Sequence, residues 1–141
     1  NIIPDVVHIY GTLRTFDETW RNEARQLVRY ITEGICKTMG GSCKIDTPEG
    51  YPCLYNNPEL TYKVKQIAED YMGGTEIIPA RMGGEDFAYY SHVVPAAFYR
   101  VGVKIDGGTG LHTATFDANE NGLDLYAGLF AQVAVEVLKG E

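Results

Sequence analysis

The chain is 141 residues long, 45% hydrophobic and carries a formal net charge of −7. That is enough apolar sequence for a folded core, and the wrong sign for a nucleic-acid surface, which needs clustered Lys and Arg. Its basic residues are scattered, against a lipid-binding patch, and no apolar run approaches the roughly 20 residues that cross a bilayer. One ordinary domain or two small ones fit this length. Three cysteines, Cys36, Cys43 and Cys53, follow no metal-type spacing such as C-x-x-C. An odd count suits a reducing compartment better than a disulfide-stapled secreted fold, so the expected location is cytoplasmic. Asn1-Ile2-Ile3-Pro4 reads as mid-protein sequence and carries no targeting information.

In chain order, Val6 to Phe16 alternates Val7, Ile9 and Leu13 against His8, Tyr10, Thr12 and Arg14, the period of a half-buried strand with Gly11 as an interruption. Arg14 shares the face of His8 and Tyr10, away from the expected core. Asp17 offers an N-cap, and Trp20, Ala24, Leu27, Val28, Ile31, Ile35, Cys36 and Met39 follow at helical spacing up to Gly40-Gly41. This stripe predicts a core-facing helix with Cys36 as an inert buried thiol. Ser42 to Asp46, continuing irregularly through Gly50-Tyr51-Pro52, reads as a second strand. A strand, a helix and a strand are too few to close a layer alone.

Asn56-Asn57-Pro58 breaks the chain and starts a helix, with Asn57 as cap, Pro58 at its first position, and Gly73-Gly74 as its stop. A domain boundary is expected here, near Asn57. Glu76-Ile77-Ile78 predicts a short buried strand, Phe87 to Tyr90 a short helix, and Ala97 to Val103 an apolar strand. Residues 104–121 form a long loop carrying His112, and Gly122 to Leu138 closes the chain as a helix. A loop of this length inside a domain is more often functional than idle.

Two motifs carry possible chemistry. His112 lies in Gly110-Leu111-His112-Thr113, where an imidazole can reach a metal without steric obstruction, or simply hydrogen-bond within its loop. Arg81-Met82-Gly83-Gly84-Glu85-Asp86-Phe87 places glycines before a helix start. Their N–H groups and the helix dipole suit an anion such as a carboxylate, or else Glu85 and Asp86 merely complement the helix N-terminus. The Lys-Ser/Thr of a P-loop is missing. Nothing marks Cys43 or Cys53 as a nucleophile, and His8 and His92 stand on a strand face and near a helix end, poor positions for ligands.

Taken in order, Asn1-Ile2-Ile3-Pro4-Asp5, Gly11-Thr12-Leu13-Arg14, Gly50-Tyr51-Pro52, Asn56-Asn57-Pro58, Gly84-Glu85-Asp86-Phe87, Phe98-Tyr99 and Leu111-His112-Thr113 with Phe116-Asp117 resemble the M20 family of metallopeptidases and amidohydrolases. The similar branch is that of hippurate, N-acyl-amino-acid and auxin-conjugate hydrolases. The resemblance spans essentially the whole chain. It implies a mixed α/β fold: residues 1–56 as the second half of an open-faced α/β sandwich lid that pairs subunits, and residues 57–141 as the C-terminal part of a zinc-peptidase-like catalytic domain. It implies His112 as a metal ligand, and Asn1, Arg14 and Gly84 as substrate-binding positions, with Arg14 a carboxylate clamp.

The cofactor implied is a pair of divalent metals (zinc, or manganese, cobalt or nickel) activating water against an amide. The substrate implied is an N-acyl amino acid or dipeptide, and the assembly a homodimer. The remaining ligands and the general-base glutamate are expected ahead of Asn1, so no catalytic residue is assigned within this chain, which by itself is expected to be inactive. Two rivals remain at this stage: a non-catalytic dimerisation or binding module, and an unrelated small α/β binding protein stable without a partner half.

Overall fold

A computed structural model of the chain describes residues 1–140. The described residues form α1 (Glu18–Thr38), α2 (Pro58–Met72), the single turn α3 (Ala88–Ser91), a 3₁₀ turn (Glu120–Gly122) and α4 (Leu123–Leu138). Each long helix begins where local chemistry dictates. Asp17 accepts the Trp20 N–H at 2.6 Å, and Asn57 accepts the Leu60 N–H at 2.9 Å with Pro58 behind it, so orphan donors of both first turns are satisfied. Gly73 ends α2 in the left-handed conformation, φ +81°.

The strands expected at 6–16, 42–46, 76–78 and 97–103 do not form among the described residues. The mixed α/β class is therefore met in its helical part alone. A ladder requires a second backbone in register, and no such ladder forms along these segments among the described residues. Val7 and Ile9, the presumed inward positions, are exposed, Ile9 to 91%.

The chain divides into two compact units: Asn1–Cys53 with Ala80–Ala88, and Leu54–Pro79 with Tyr89–Glu141. In the first unit the apolar stripe of α1 is a correction to expectation. Ala24 is buried, at 6% exposure, whereas Trp20, Leu27, Val28, Ile31 and Ile35 are exposed, as is Met39 at 81%; Cys36 is half-buried. The face that finds partners is instead the arginine row one position along. Arg21 donates to the carbonyls of Glu49 and Tyr51 at 2.6 and 3.0 Å. Arg25 donates to the Thr47 carbonyl, and Arg29 reaches the Thr47 hydroxyl at 3.4 Å. As the helix residue number falls from 29 to 21 the partner rises from 47 to 51, so this segment runs antiparallel to α1.

The second unit holds a more ordinary core. α2 packs on α4 through Val64, Ala68 and Leu129, the last 2% exposed. Lys63 reaches the Val137 carbonyl at 3.4 Å while Tyr71 meets Gly128, so the two helices are antiparallel. Segment 97–103 is held by single bonds. The Asn56 carboxamide accepts from Phe98 N at 2.6 Å and donates to its carbonyl at 3.3 Å. Asn119 N bonds the Val103 carbonyl at 2.9 Å, and Tyr126 donates to the Gly102 carbonyl. A side-chain amide thus does for one residue what a neighbouring strand would do for a row.

Candidate functional site

Within the first unit the chain gathers Arg14, Tyr51 and the Met82-Gly83-Gly84 turn. Arg14 Nη1 donates to the Met82 carbonyl at 2.9 Å across 68 positions of sequence. Gly84 sits against both side chains: a Cβ there would lie 3.3 Å from Tyr51 Cδ2 and 4.0 Å from Arg14 Nη1. A side chain at Gly84 would crowd the tyrosine ring, which would have to give by a few tenths of an ångström. Arg14 is solvent-exposed, and a guanidinium has five N–H donors. Met82 takes a small part of that capacity, which leaves charge and donors for a planar anion.

The Tyr51 backbone is held by Arg21, which donates to its carbonyl at 3.0 Å. Glu18 receives Arg21 through Nε at 2.9 Å and Nη2 at 2.6 Å, and its other oxygen accepts the Cys53 N–H. The Cys53 thiol donates to the Thr15 carbonyl at 3.1 Å. Burial pushes Glu18 upward, but the Cys53 N–H and thiol, with Arg21, outweigh it and bring its carboxyl below the ordinary range. Burial first, then Glu18, pushes the Cys53 thiol up. Neither Glu18 nor Arg21 stood out in the sequence, although their i,i+3 spacing on a capped helix was the available signal.

The helix-dipole reading of the Gly83-Gly84 turn is corrected: α3 is one turn long, too short for an aligned dipole. Glu85 turns its own carboxylate to Phe87 N at 3.3 Å, and its carbonyl accepts Ala88 N at 3.2 Å. Asn1 lies exposed in the same unit and makes no hydrogen bond among the described residues.

His112 belongs to the second unit, in a loop pinned by hydroxyls. Thr113 Oγ1 donates to the Gly110 carbonyl at 2.9 Å, and Thr109 Oγ1 to the Thr115 carbonyl at 2.7 Å. The Thr113 and Thr115 hydroxyls both contact Thr109 Oγ1, at 3.0 and 3.2 Å. Between these anchors His112 adopts φ +65°, the one non-glycine residue with positive φ among the described residues. Such a backbone costs about 1–2 kcal/mol and persists where its surroundings over-determine it. The side chain it presents is exposed. His8 stacks near Tyr10, ring centroids 6.4 Å apart.

The family model for peptidase family M20/M25/M40 matches residues 4–136. The chain belongs to that family. Similar curated proteins include the putative amidohydrolase YhaA of Bacillus subtilis, 31% identical over 96% of this chain. Thermostable carboxypeptidase 1 of Saccharolobus solfataricus is 32% identical over 96% of the chain, and IAA-amino acid hydrolase ILR1-like 2 of Arabidopsis thaliana 30% identical over 99%. The chain spans about a third of the length of these relatives, 35%, 35% and 33% respectively. No solved structure matches it at comparable significance.

Enzymes of the M20 family are hydrolases and generally depend on divalent metal. The residues of this M20 chain do not by themselves fit such a centre. Among the described residues no three His, Cys, Asp or Glu side chains lie close enough to share an ion, and one imidazole is not a metal site. No helix among them is long and apolar enough to cross a membrane.

Proposed function

We propose that this chain contributes a carboxylate-binding arginine, Arg14, and one metal-ligating imidazole, His112, to an amidohydrolase that cleaves the amide bond of N-acyl or N-aminoacyl amino acids. The observation that carries the reading is the meeting of Arg14 with Gly84. Two positions far apart in sequence converge on one exposed spot, and most of the guanidinium there is uncommitted. Substrates of this class end in a free carboxylate, which a guanidinium fork matches in shape and charge. Asn1 would add a polar contact to the same substrate. Residues 1–56 are read as the second half of a lid that pairs two copies, and residues 57–141 as the C-terminal part of the catalytic domain. Zinc, manganese, cobalt or nickel would be held by His112 with donors and a general-base glutamate from polypeptide outside these residues.

The test is reconstitution with the remaining polypeptide of the longer relatives, of which this chain spans about a third. Metal-dependent hydrolysis of N-acyl amino acids is expected, with His112→Ala abolishing stoichiometric metal uptake. Arg14→Ala should raise KM roughly tenfold to a hundredfold, the weight of about one charged hydrogen bond, yet leave N-acyl amino amides, which lack the carboxylate, unaffected. Equal losses on both substrate types would remove Arg14 from carboxylate recognition. A second reading, a non-catalytic pairing module, draws on the exposed apolar face of α1, a surface of the kind that joins chains. Reconstituted protein that pairs but neither takes up metal nor hydrolyses any acyl amino acid would establish it.

A further inference from the structure

α1 ends in a double turn that folds the chain back over its own last residues. Gly40, at φ +77°, donates to the Lys37 carbonyl at 3.2 Å, and Gly41 donates to the Cys36 carbonyl at 2.8 Å. These are the two hydrogen bonds of a Schellman motif, and glycine meets its left-handed position without a Cβ penalty. The second bond anchors the departing chain directly beside Cys36, and Cys43 follows two residues later. The Cys43 side chain interacts with that of Cys36. Cys43 is exposed and Cys36 half-buried. Cys53 is engaged elsewhere, its thiol on Thr15 and its N–H on Glu18.

We propose that Cys36 and Cys43 form a dithiol modification site that closes to an intramolecular disulfide when the chain meets a low-molecular-weight disulfide such as oxidised glutathione. Cys43 has the access and reacts first. Its thiolate attacks one sulfur of the small disulfide, forming a mixed disulfide and expelling one small thiolate. Cys36, deprotonated in turn, attacks the Cys43 sulfur and expels the second small thiolate. The two protons lost by the protein are taken up by the two leaving thiolates, and two electrons pass to the small disulfide. The Cys36 sulfur beside it first, then desolvation and the charges of Cys36 and Glu33, hold Cys43 above the ordinary thiol value, and because both steps run through thiolates closure quickens as pH rises. The reduced form is the expected one in a reducing compartment, and a shift toward oxidising poise closes the ring.

The experiment incubates the 141-residue chain with glutathione buffers of graded poise, alkylates residual thiols and digests with trypsin. The expected product is a disulfide-linked pair of peptides, Tyr30–Lys37 with Thr38–Lys44, with Cys53 alkylated throughout. Cys36→Ser should stall at a mixed disulfide on Cys43. In concentrated urea the closure constant should fall about tenfold, equivalent to about 30 mV for this two-electron couple, because the folded turn holds the thiols together. Three results would overturn the site: stable glutathione on Cys43 beside an alkylatable Cys36, pairing through Cys53 or between chains, or a closure constant indifferent to urea.

Discussion

Glu18 stands one residue past the N-cap of α1 and serves two partners at once, the Arg21 guanidinium and the Cys53 N–H. Its folded pKa lies below the ordinary value of about 4.5. Its contribution is therefore complete above that value and is lost as pH falls through the lower folded one. Urea melts at neutral pH and near pH ~3 should show the wild-type chain losing more stability on acidification than Glu18→Gln; parallel losses would dismiss the linkage. At His112 the effect is conformational. Glycine accepts φ +65° without the Cβ clash that alanine retains, so His112→Gly should be more stable than His112→Ala by about 1 kcal/mol in denaturant. Equal midpoints would mean that the left-handed turn is not populated in solution. The Gly110-Leu111-His112-Thr113 motif announced a presented imidazole, but its positive φ was hidden, because hydroxyl pins from Thr109, Thr113 and Thr115 set it.

At the scale of elements, the helices were legible because their signals are local. Asp17, Asn57-Pro58 and Gly73 act within one turn of themselves, and α1 and α2 begin and end beside them. Strands were not, because their periodicity states a preference that a partner backbone must complete. The same limit applied to α1: its stripe was read correctly as a stripe, but burial depends on what lies opposite. The arginines at 21, 25 and 29, with carbonyls within reach, took the contact instead. The α2–α4 pair carries a sharper consequence. Gly128 lets Tyr71 approach more closely than any Cβ permits, so Gly128→Ala must push the ring or the helix away. A loss of about 1–3 kcal/mol is expected in thermal or urea melts, and Gly128→Ala with Tyr71→Phe, which removes the offending hydroxyl, should recover part of it.

For the molecule as a whole, protection should be uneven. Val64, Ala68, Ala96 and Leu129 sit inside the second unit, whereas α1 buries Ala24 and exposes most of its apolar side chains. Amide exchange follows such differences, since segments with few buried apolar contacts open at lower cost. Deuterium uptake read by mass spectrometry should therefore be faster across α1 than across α2 and α4, and uniform protection would contradict this division. The candidate site was legible in the same uneven way. The motifs nominated Arg14 and Gly84 separately, but their meeting, with Tyr51 beside Gly84 and Arg21 on the Tyr51 carbonyl, is a relation between distant stretches of chain.

The backbone passes from one unit to the other three times, after Cys53, after Pro79 and after Ala88. The middle excursion is brief and returns Gly84 to the side of Arg14 before the chain leaves again. The proposed carboxylate-binding pair is thereby lodged in one body, although its two members are spelled out in distant stretches of sequence. Any hinge at those crossings would carry the guanidinium and the glycine turn together, so that the spacing of the proposed site is not renegotiated with each swing.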